Sequence, residues 1–236
     1  MRRFLSAVVV QCLAASTVLA ADFSDTELRW LSGIWPVVSH ARAAKLPLDI
    51  VVQPQPTPGL TPLGMAFVDG RCKLVLSMRG NAKAQATLDR IEPALLDVAL
   101  ELMAAHELGH CHRYLQDAFD MLPAGFTAAQ PPAELDPDLH AAYLAMKATR
   151  REEAYGDLVG LAWTKQQHPQ RYAAVYAWLL AERSHEVIQG TDHDTRAWLR
   201  LNVDGLRLGA DGHPLDEASL FDAVDAAWLQ GLDADE

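Results

Sequence analysis

The sequence predicts a single α+β domain that is mostly helical, with a small β-sheet preceding one long apolar helix. Short apolar runs separated by tight-turn residues occur in the first third of the chain, at residues 48–78. From residue 93 onward, apolar residues recur at helical spacing. Beyond residue 20 roughly 216 residues remain, which is enough for one domain with a substantial core, and no repeat divides them.

Residues 1–20 are typical of a secretory signal peptide, because Arg2 and Arg3 precede an apolar stretch from Phe4 to about Ala15, and Val18-Leu19-Ala20 then precedes Ala21. We therefore expect an exported protein, periplasmic or secreted, whose mature domain comprises residues 21–236. No other segment is long and apolar enough to cross a bilayer. The formal net charge of −11 becomes −13 without the two arginines, since residues 1–20 contain no Asp or Glu. This charge disfavours nucleic-acid binding.

The first helix is predicted to begin at a capping box, Ser24-Asp-Thr-Glu27, whose end residues can each bond the other's backbone N–H. Pro36 predicts a bend in this helix, which should end near Lys45-Leu-Pro47. The residues expected to face the core are Leu28, Leu31, Ile34 and Val38.

Three strands are predicted next. Leu48–Val52 is the first, and the proline-rich stretch 54–62 after it excludes regular structure. Met65–Val68 and Cys72–Met78 predict a β-hairpin, because Asp69-Gly70 between two apolar runs is a strong tight-turn signal.

The central helix contains the pattern HELGH at residues 106–110. His106 and His110 are four residues apart, so on a helix both imidazoles project from one face and can bind one metal ion. Glu107 is placed to reach a water beside the metal, as a general base must. Gly109 lowers helix stability by about 1 kcal/mol relative to Ala, which suggests close approach by another group, and a simple packing contact would explain it equally well.

Four helices are predicted after an irregular loop at about 120–135. The Asp136-Pro137 pair provides an N-cap and a first-turn proline for a helix that runs to Gln167. The later helices are expected at 169–181, 194–202 and 216–229, and residues 232–236 should form a solvated acidic tail.

A catalytic zinc site usually has three protein ligands and a water, so a third ligand is needed. The position six residues after His110 is Gln116, which excludes the metzincin extension. Glu153 and Asp157 lie four apart on a predicted helix, so Glu153 can bind the metal while Asp157 orients a ligating imidazole. Glu152 would not share a face with Asp157. The alternative is a solvated face on which both glutamates pair with Arg150 or Arg151.

HELGH together with EAYGD at residues 153–157 resembles the gluzincin metallopeptidases, and is most similar to the branch of the CAAX-prenyl-type endopeptidases and their small soluble relatives. The resemblance implies a zincin-like fold in which His106, His110 and Glu153 bind zinc, Glu107 is the base and Asp157 supports a ligand. Two departures stand out. Gly156 replaces a common Ala, and His112, expected at the surface or behind a ligand, replaces an apolar residue.

The segment from Thr191 to Arg196 resembles a His…Arg segment that these peptidases place near the zinc to stabilise the tetrahedral intermediate. His193 and Arg196 are therefore candidate electrophiles, and Tyr155 is another. The alternative is a helix N-cap at Asp192 or Asp194 with Arg196 in a surface ion pair. Asp192 is also a reserve metal ligand, through a loose similarity to the aspzincin pattern.

These patterns predict an exported zinc metalloendopeptidase that acts on a peptide or protein substrate. By resemblance, an edge strand beside the central helix aligns the substrate, and Cys72–Met78 is the nearest candidate. Cys72 and Cys111 can form a disulfide in an oxidising compartment, or remain two buried thiols. Two other hypotheses remain: an inactive zincin-fold binding or chaperone-like protein with a structural metal site, and a metal-free helical protein.

Overall fold

The structure is a computed structural model that describes residues 22–57, 59–185, 188–205 and 217–235. The predicted signal peptide lies outside these residues. The strands of the described part are β1 Leu48–Pro54, β2 Leu63–Val68 and β3 Arg71–Arg79. Its α-helices are α1 Asp25–Ala43, α2 Ala82–Arg90, α3 Leu96–Leu115, α4 His140–Gln167, α5 Tyr172–Glu182, α6 Arg196–Leu201 and α7 Glu217–Asp235. The predicted α+β class is confirmed.

Helix α1 begins at the predicted capping box, in which Glu27 N–H donates to Ser24 Oγ at 3.2 Å and Ser24 N–H donates to Glu27 Oε2 at 2.7 Å. Its buried face differs in part from the predicted one. Leu28 is 51% exposed, whereas Trp30, two positions further on, is 1% exposed. The wider buried face consists of Trp30, Ile34, Val37, Val38 and Ala41.

The predicted hairpin forms β2 and β3. Asp69 and Gly70 have φ angles of 52° and 71°, so both central residues adopt the left-handed conformation that a tight hairpin turn requires. The sheet order is β1-β3-β2, with β1 parallel and β2 antiparallel to β3. The prediction that Cys72–Met78 is an edge strand was therefore wrong, since β3 is central. The strand that borders α3 at an edge is β2.

Alternate residues of β2 direct their backbone N–H and C=O groups away from β3. Ser77 N–H donates to Pro62 O at 2.8 Å, and antiparallel ladders alternate bonded and non-bonded pairs. It follows that Gly64 and Ala66 bond to β3, whereas Leu63 and Met65 direct their backbone groups away from the sheet.

Helices α3 and α4 cross at a contact made by glycines. A Cβ added at Gly109 would lie 3.1 Å from the Cα of Gly156, and one added at Gly160 would lie 2.9 Å from the carbonyl oxygen of Leu102. The close approach predicted at Gly109 is confirmed, and its partner is α4. Because the crossing lies beside His106 and His110, it places α4 side chains directly against them.

Several other elements differ from the prediction. Helix α2 was not predicted. A short 3-10 turn, Pro137–Leu139, precedes α4, and another, Pro169–Arg171, precedes α5. The predicted acidic tail is instead the last turn of α7, in which Leu232 is fully buried. Among the described residues, no helix has both the length and the apolar composition needed to span a membrane.

The Cys72–Cys111 disulfide is present and links β3 to α3 next to His110. Its two cysteines are 39 residues apart, so the crosslink restricts a long loop of the unfolded chain. We expect the double variant Cys72→Ala/Cys111→Ala to lose about 4 kcal/mol of unfolding free energy, measured by urea titration. Unfolding free energies that agree within about 0.5 kcal/mol would show that the bond adds no stability.

Candidate metal centre

Three predicted ligands meet where α3 crosses α4. His106 and His110 project from α3 with their Nε2 atoms 3.0 Å apart. Glu153 of α4 places Oε2 3.6 Å from His106 Nε2 and Oε1 3.7 Å from His110 Nε2. Ligands of a tetrahedral zinc ion, bound at about 2.0–2.1 Å, lie about 3.3 Å from one another. One ligand atom from each of the three side chains lies within 4.8 Å of the other two, so together they could hold a metal ion.

The close pair of imidazole nitrogens supports this interpretation. Two Nε2 lone pairs at 3.0 Å repel each other unless a proton or a metal ion lies between them. Without metal, burial lowers the pKa of both rings, but the hydrogen bond to Asp157 and nearby carboxylate charges leave the pKa of His106 raised. The pKa of His110 stays well below its usual value. One imidazolium can thus bond the other ring, and a divalent cation can replace that proton.

Asp157 holds His106 in the orientation a ligand needs. Its Oδ1 lies 3.0 Å from His106 Nδ1, so that nitrogen donates and Nε2 presents its lone pair to the centre. Thr195 Oγ1, fully buried, donates to Asp157 Oδ2 at 2.6 Å. Burial raises the pKa of Asp157, but Arg183 and His106 more than offset this effect, and the carboxylate stays ionised.

Arg183 was not predicted as a site residue. It is the C-cap of α5, and its guanidinium donates to Asp157 through Nε at 2.8 Å and through Nη2 at 2.7 Å. The same Nη2 donates to Glu153 Oε2 at 3.3 Å. The surrounding sequence, Ala181-Glu-Arg-Ser184, carries no recognisable motif, so only the fold reveals this contact.

Glu107 lies beside the ligands but outside the cluster of metal-binding atoms. Burial raises the pKa of its carboxyl to about 7, although the charge of His106 and the backbone N–H of Met65 oppose this shift. Since Met65 belongs to the edge strand β2, the carboxyl group of Glu107 faces that strand. A carboxyl group with a pKa close to neutrality can accept and return a proton at physiological pH.

His110 is less firmly oriented than His106. Its Nδ1 is buried without a hydrogen-bond partner in the described part of the chain, whereas metal-binding histidines usually donate from the outer nitrogen. Its ring packs edge-on against Phe119, with ring centroids 5.9 Å apart. Packing therefore restricts this imidazole where a hydrogen bond does not.

Among the candidate electrophiles, His193 is the one that reaches the centre. Its Nε2 lies 3.7 Å from Glu153 Oε2, and its side chain is 44% exposed. Arg196 instead pairs with Asp194, with Nε and Oδ1 2.5 Å apart, as in the alternative left open by the sequence. Tyr155 is fully buried and donates to Asp225 at 2.9 Å, away from the centre.

The remaining candidates have other contacts. Asp192, the reserve ligand, lies with its Oδ1 3.0 Å from His193 Nδ1 and outside the ligand cluster. His112 is partly exposed and stacks on Phe221, with ring centroids 3.7 Å apart. Glu152 is buried and accepts two bonds from Arg113, at 2.9 and 3.1 Å, rather than pairing with Arg150 or Arg151.

The centre opens into a cavity of about 450 Å³. Along α3 the cavity extends from Leu102 to Tyr114, a rise of about 18 Å at 1.5 Å per residue. One wall is residues 61–65, which include the start of β2, and the opposite wall comes from α4 and α5. Trp178 lines its apolar end, where the indole N–H is buried without a hydrogen-bond partner among the described residues.

No protein-family model, curated protein or solved structure matches the chain. The chemistry of the centre therefore has to be inferred from its own residues. They are two imidazoles and a carboxylate at metal-binding spacing, a neighbouring carboxyl group with a raised pKa, and a cavity with an edge strand along one wall.

Proposed function

We propose that this protein is a zinc-dependent metallopeptidase of the gluzincin type that hydrolyses peptide bonds in the cavity above α3. The observation that carries the proposal is the grouping of His106, His110 and Glu153 with Glu107 beside them. Two imidazoles and one carboxylate are a donor set that suits zinc and leaves one position open. Zinc held there would lower the pKa of a bound water to about 7 and polarise the scissile carbonyl.

The residues around the centre have separate tasks. Asp157 fixes the tautomer of His106. Glu107, which lines the cavity beside His106, takes a proton from the attacking water and delivers it to the leaving amine. His193, half-exposed at the mouth and close to Glu153, can donate a hydrogen bond to the oxyanion of the tetrahedral intermediate.

The substrate that fits this cavity best is an extended peptide. The outward backbone groups of Leu63 and the outward carbonyl of Met65 can pair with a peptide strand laid along β2. At about 3.3 Å per residue, the 18 Å cavity accommodates about five residues.

Export to an oxidising compartment is part of the same proposal. The basic and apolar pattern of residues 1–20 supports it, and the Cys72–Cys111 disulfide is compatible with it. A periplasmic or secreted peptidase would meet its substrates there.

The proposal is tested first by zinc content. Elemental analysis should give about one zinc per chain in the wild type and a clear loss in Glu153→Ala, because two histidines alone rarely retain catalytic zinc. Glu182→Ala is the matched control, since Glu182 lines the same cavity but lies outside the ligand cluster. Absence of zinc from the wild type, even after zinc is added back, would overturn the proposal.

A further inference from the structure

We propose that Arg183 is a positioning residue that sets the orientation of the zinc ligands through Asp157 and Glu153. This inference rests on the proposed function, because it concerns the same centre. Among the described residues, its hydrogen bonds go to neither of the two ligand imidazoles. It acts through the two α4 carboxylates, which it joins with a single fork of N–H groups.

Asp157 is the first of the two carboxylates that Arg183 holds. Both of its oxygens accept a bond from Arg183, and they also accept the bonds from His106 and Thr195. With four donors around it, the carboxylate cannot rotate without breaking a bond to a buried partner. The position of the His106 ring is therefore fixed from the side opposite the metal.

Glu153 is the second carboxylate that Arg183 holds. Arg183 Nη2 contacts Oε2 of this glutamate at 3.3 Å, which leaves Oε1, 3.7 Å from His110 Nε2, for the metal. Asp157 and Glu153 lie one helical turn apart on α4, so Nη2 bridges neighbouring carboxylates of one helix face. The same cation thus orients one ligand directly and another through Asp157.

The position of Arg183 in the chain suits this role. The residue caps α5, where a cation is favoured by the helix dipole, and its side chain is only 16% exposed. Its positive charge lies near the carboxyl groups of Glu107, Glu153 and Asp157, whose negative charges would otherwise repel one another around the centre. An arginine is required because Nε and Nη2 act together, whereas a lysine has a single charged nitrogen.

The test compares Arg183→Lys with Arg90→Lys. The lysine at 183 keeps a positive charge beside Asp157, so the protein should still fold, but it loses the fork. Arg90 lines the same cavity and pairs with Glu182 at 3.5 Å, without contact to Asp157 or Glu153. The zinc dissociation constant is measured by competition with a chromophoric chelator, and the unfolding transition of each zinc-free protein is recorded in parallel.

We expect Arg183→Lys to weaken zinc binding by about 10-fold or more, within the 10–100-fold range typical of residues that orient ligands, and Arg90→Lys to change it less than about twofold. An Arg183→Lys protein that binds zinc within twofold of the wild type would overturn the inference, whatever its stability, because a purely structural role lowers stability alone. Failure of the wild type to bind zinc in the same titration would instead overturn the proposed function.

Discussion

Glu107→Gln is expected to lower kcat for peptide hydrolysis by about 10²–10⁴-fold while the protein keeps its zinc, because the substitution removes the proton acceptor and leaves the ligands untouched. Gln has nearly the same size and shape as Glu, so the packing against the edge strand should be kept. The rate is measured on the peptide that the wild type cleaves fastest in a mixed library of quenched fluorescent peptides.

The matched control for this variant is Glu101→Gln. Glu101 lies on the same helix and is buried, but it bonds to Trp163 and His168, both at 2.9 Å, and lies outside the cavity lining. We expect Glu101→Gln to retain nearly full activity per folded molecule. If Glu107→Gln cleaved the peptide at the wild-type rate, the proposed mechanism would be wrong, even with zinc bound.

The grouping of the three candidate ligands could be predicted because each part of it depends on local helical spacing. His106 and His110 are separated by four residues on one helix, and Glu153 and Asp157 by four on another, so each pair shares a face whatever the rest of the fold does. The preference for Glu153 over Glu152 follows from the same periodicity. In the structure Glu152 instead accepts two bonds from Arg113.

Arg183 could not be found in this way. It reaches Asp157 from 26 residues away, across the end of α5, and no spacing rule links the two positions. The same reason applies to the edge strand. The hairpin predicted that β2 pairs with β3, but the parallel pairing of β1 with β3, which makes β3 central, depends on a crossover that local pattern does not encode.

Tyr155 and Arg196 were predicted as candidate electrophiles, but their side chains point away from the centre. Both have side chains that can stabilise an oxyanion, and Tyr155 lies between Glu153 and Asp157 in sequence. On a helix, however, residues one or two apart point to different faces, and Tyr155 packs toward α7, where Trp228 meets its ring edge-on at a centroid distance of 6.0 Å. Residue type indicates what a side chain can do, but its direction decides whether it reaches the site.

Gly156→Ala is expected to weaken zinc binding by about 10–100-fold, although the peptidase branch that the sequence resembles commonly has Ala at the corresponding position. A Cβ at Gly156 would lie 2.7 Å from Nδ1 and Cε1 of His106, closer than real carbon contacts allow. The ring cannot move aside without leaving Asp157, because Nδ1 is bonded to that carboxylate at 3.0 Å. The substitution must therefore either rotate His106 or move α4 away from α3.

Gly160→Ala separates these two explanations. Gly160 lies one turn further along α4, and its added Cβ would meet Leu102 at 2.9 Å, in the same helix crossing but away from the imidazole. Each added methyl should lower the unfolding free energy by about 1–3 kcal/mol through overpacking, partly offset by the helix preference for Ala of about 1 kcal/mol. If the contact with His106 is decisive, only Gly156→Ala loses zinc affinity in chelator competition. Equal losses in both variants would instead assign the effect to the helix crossing, and unchanged affinity in Gly156→Ala would show that His106 tolerates displacement.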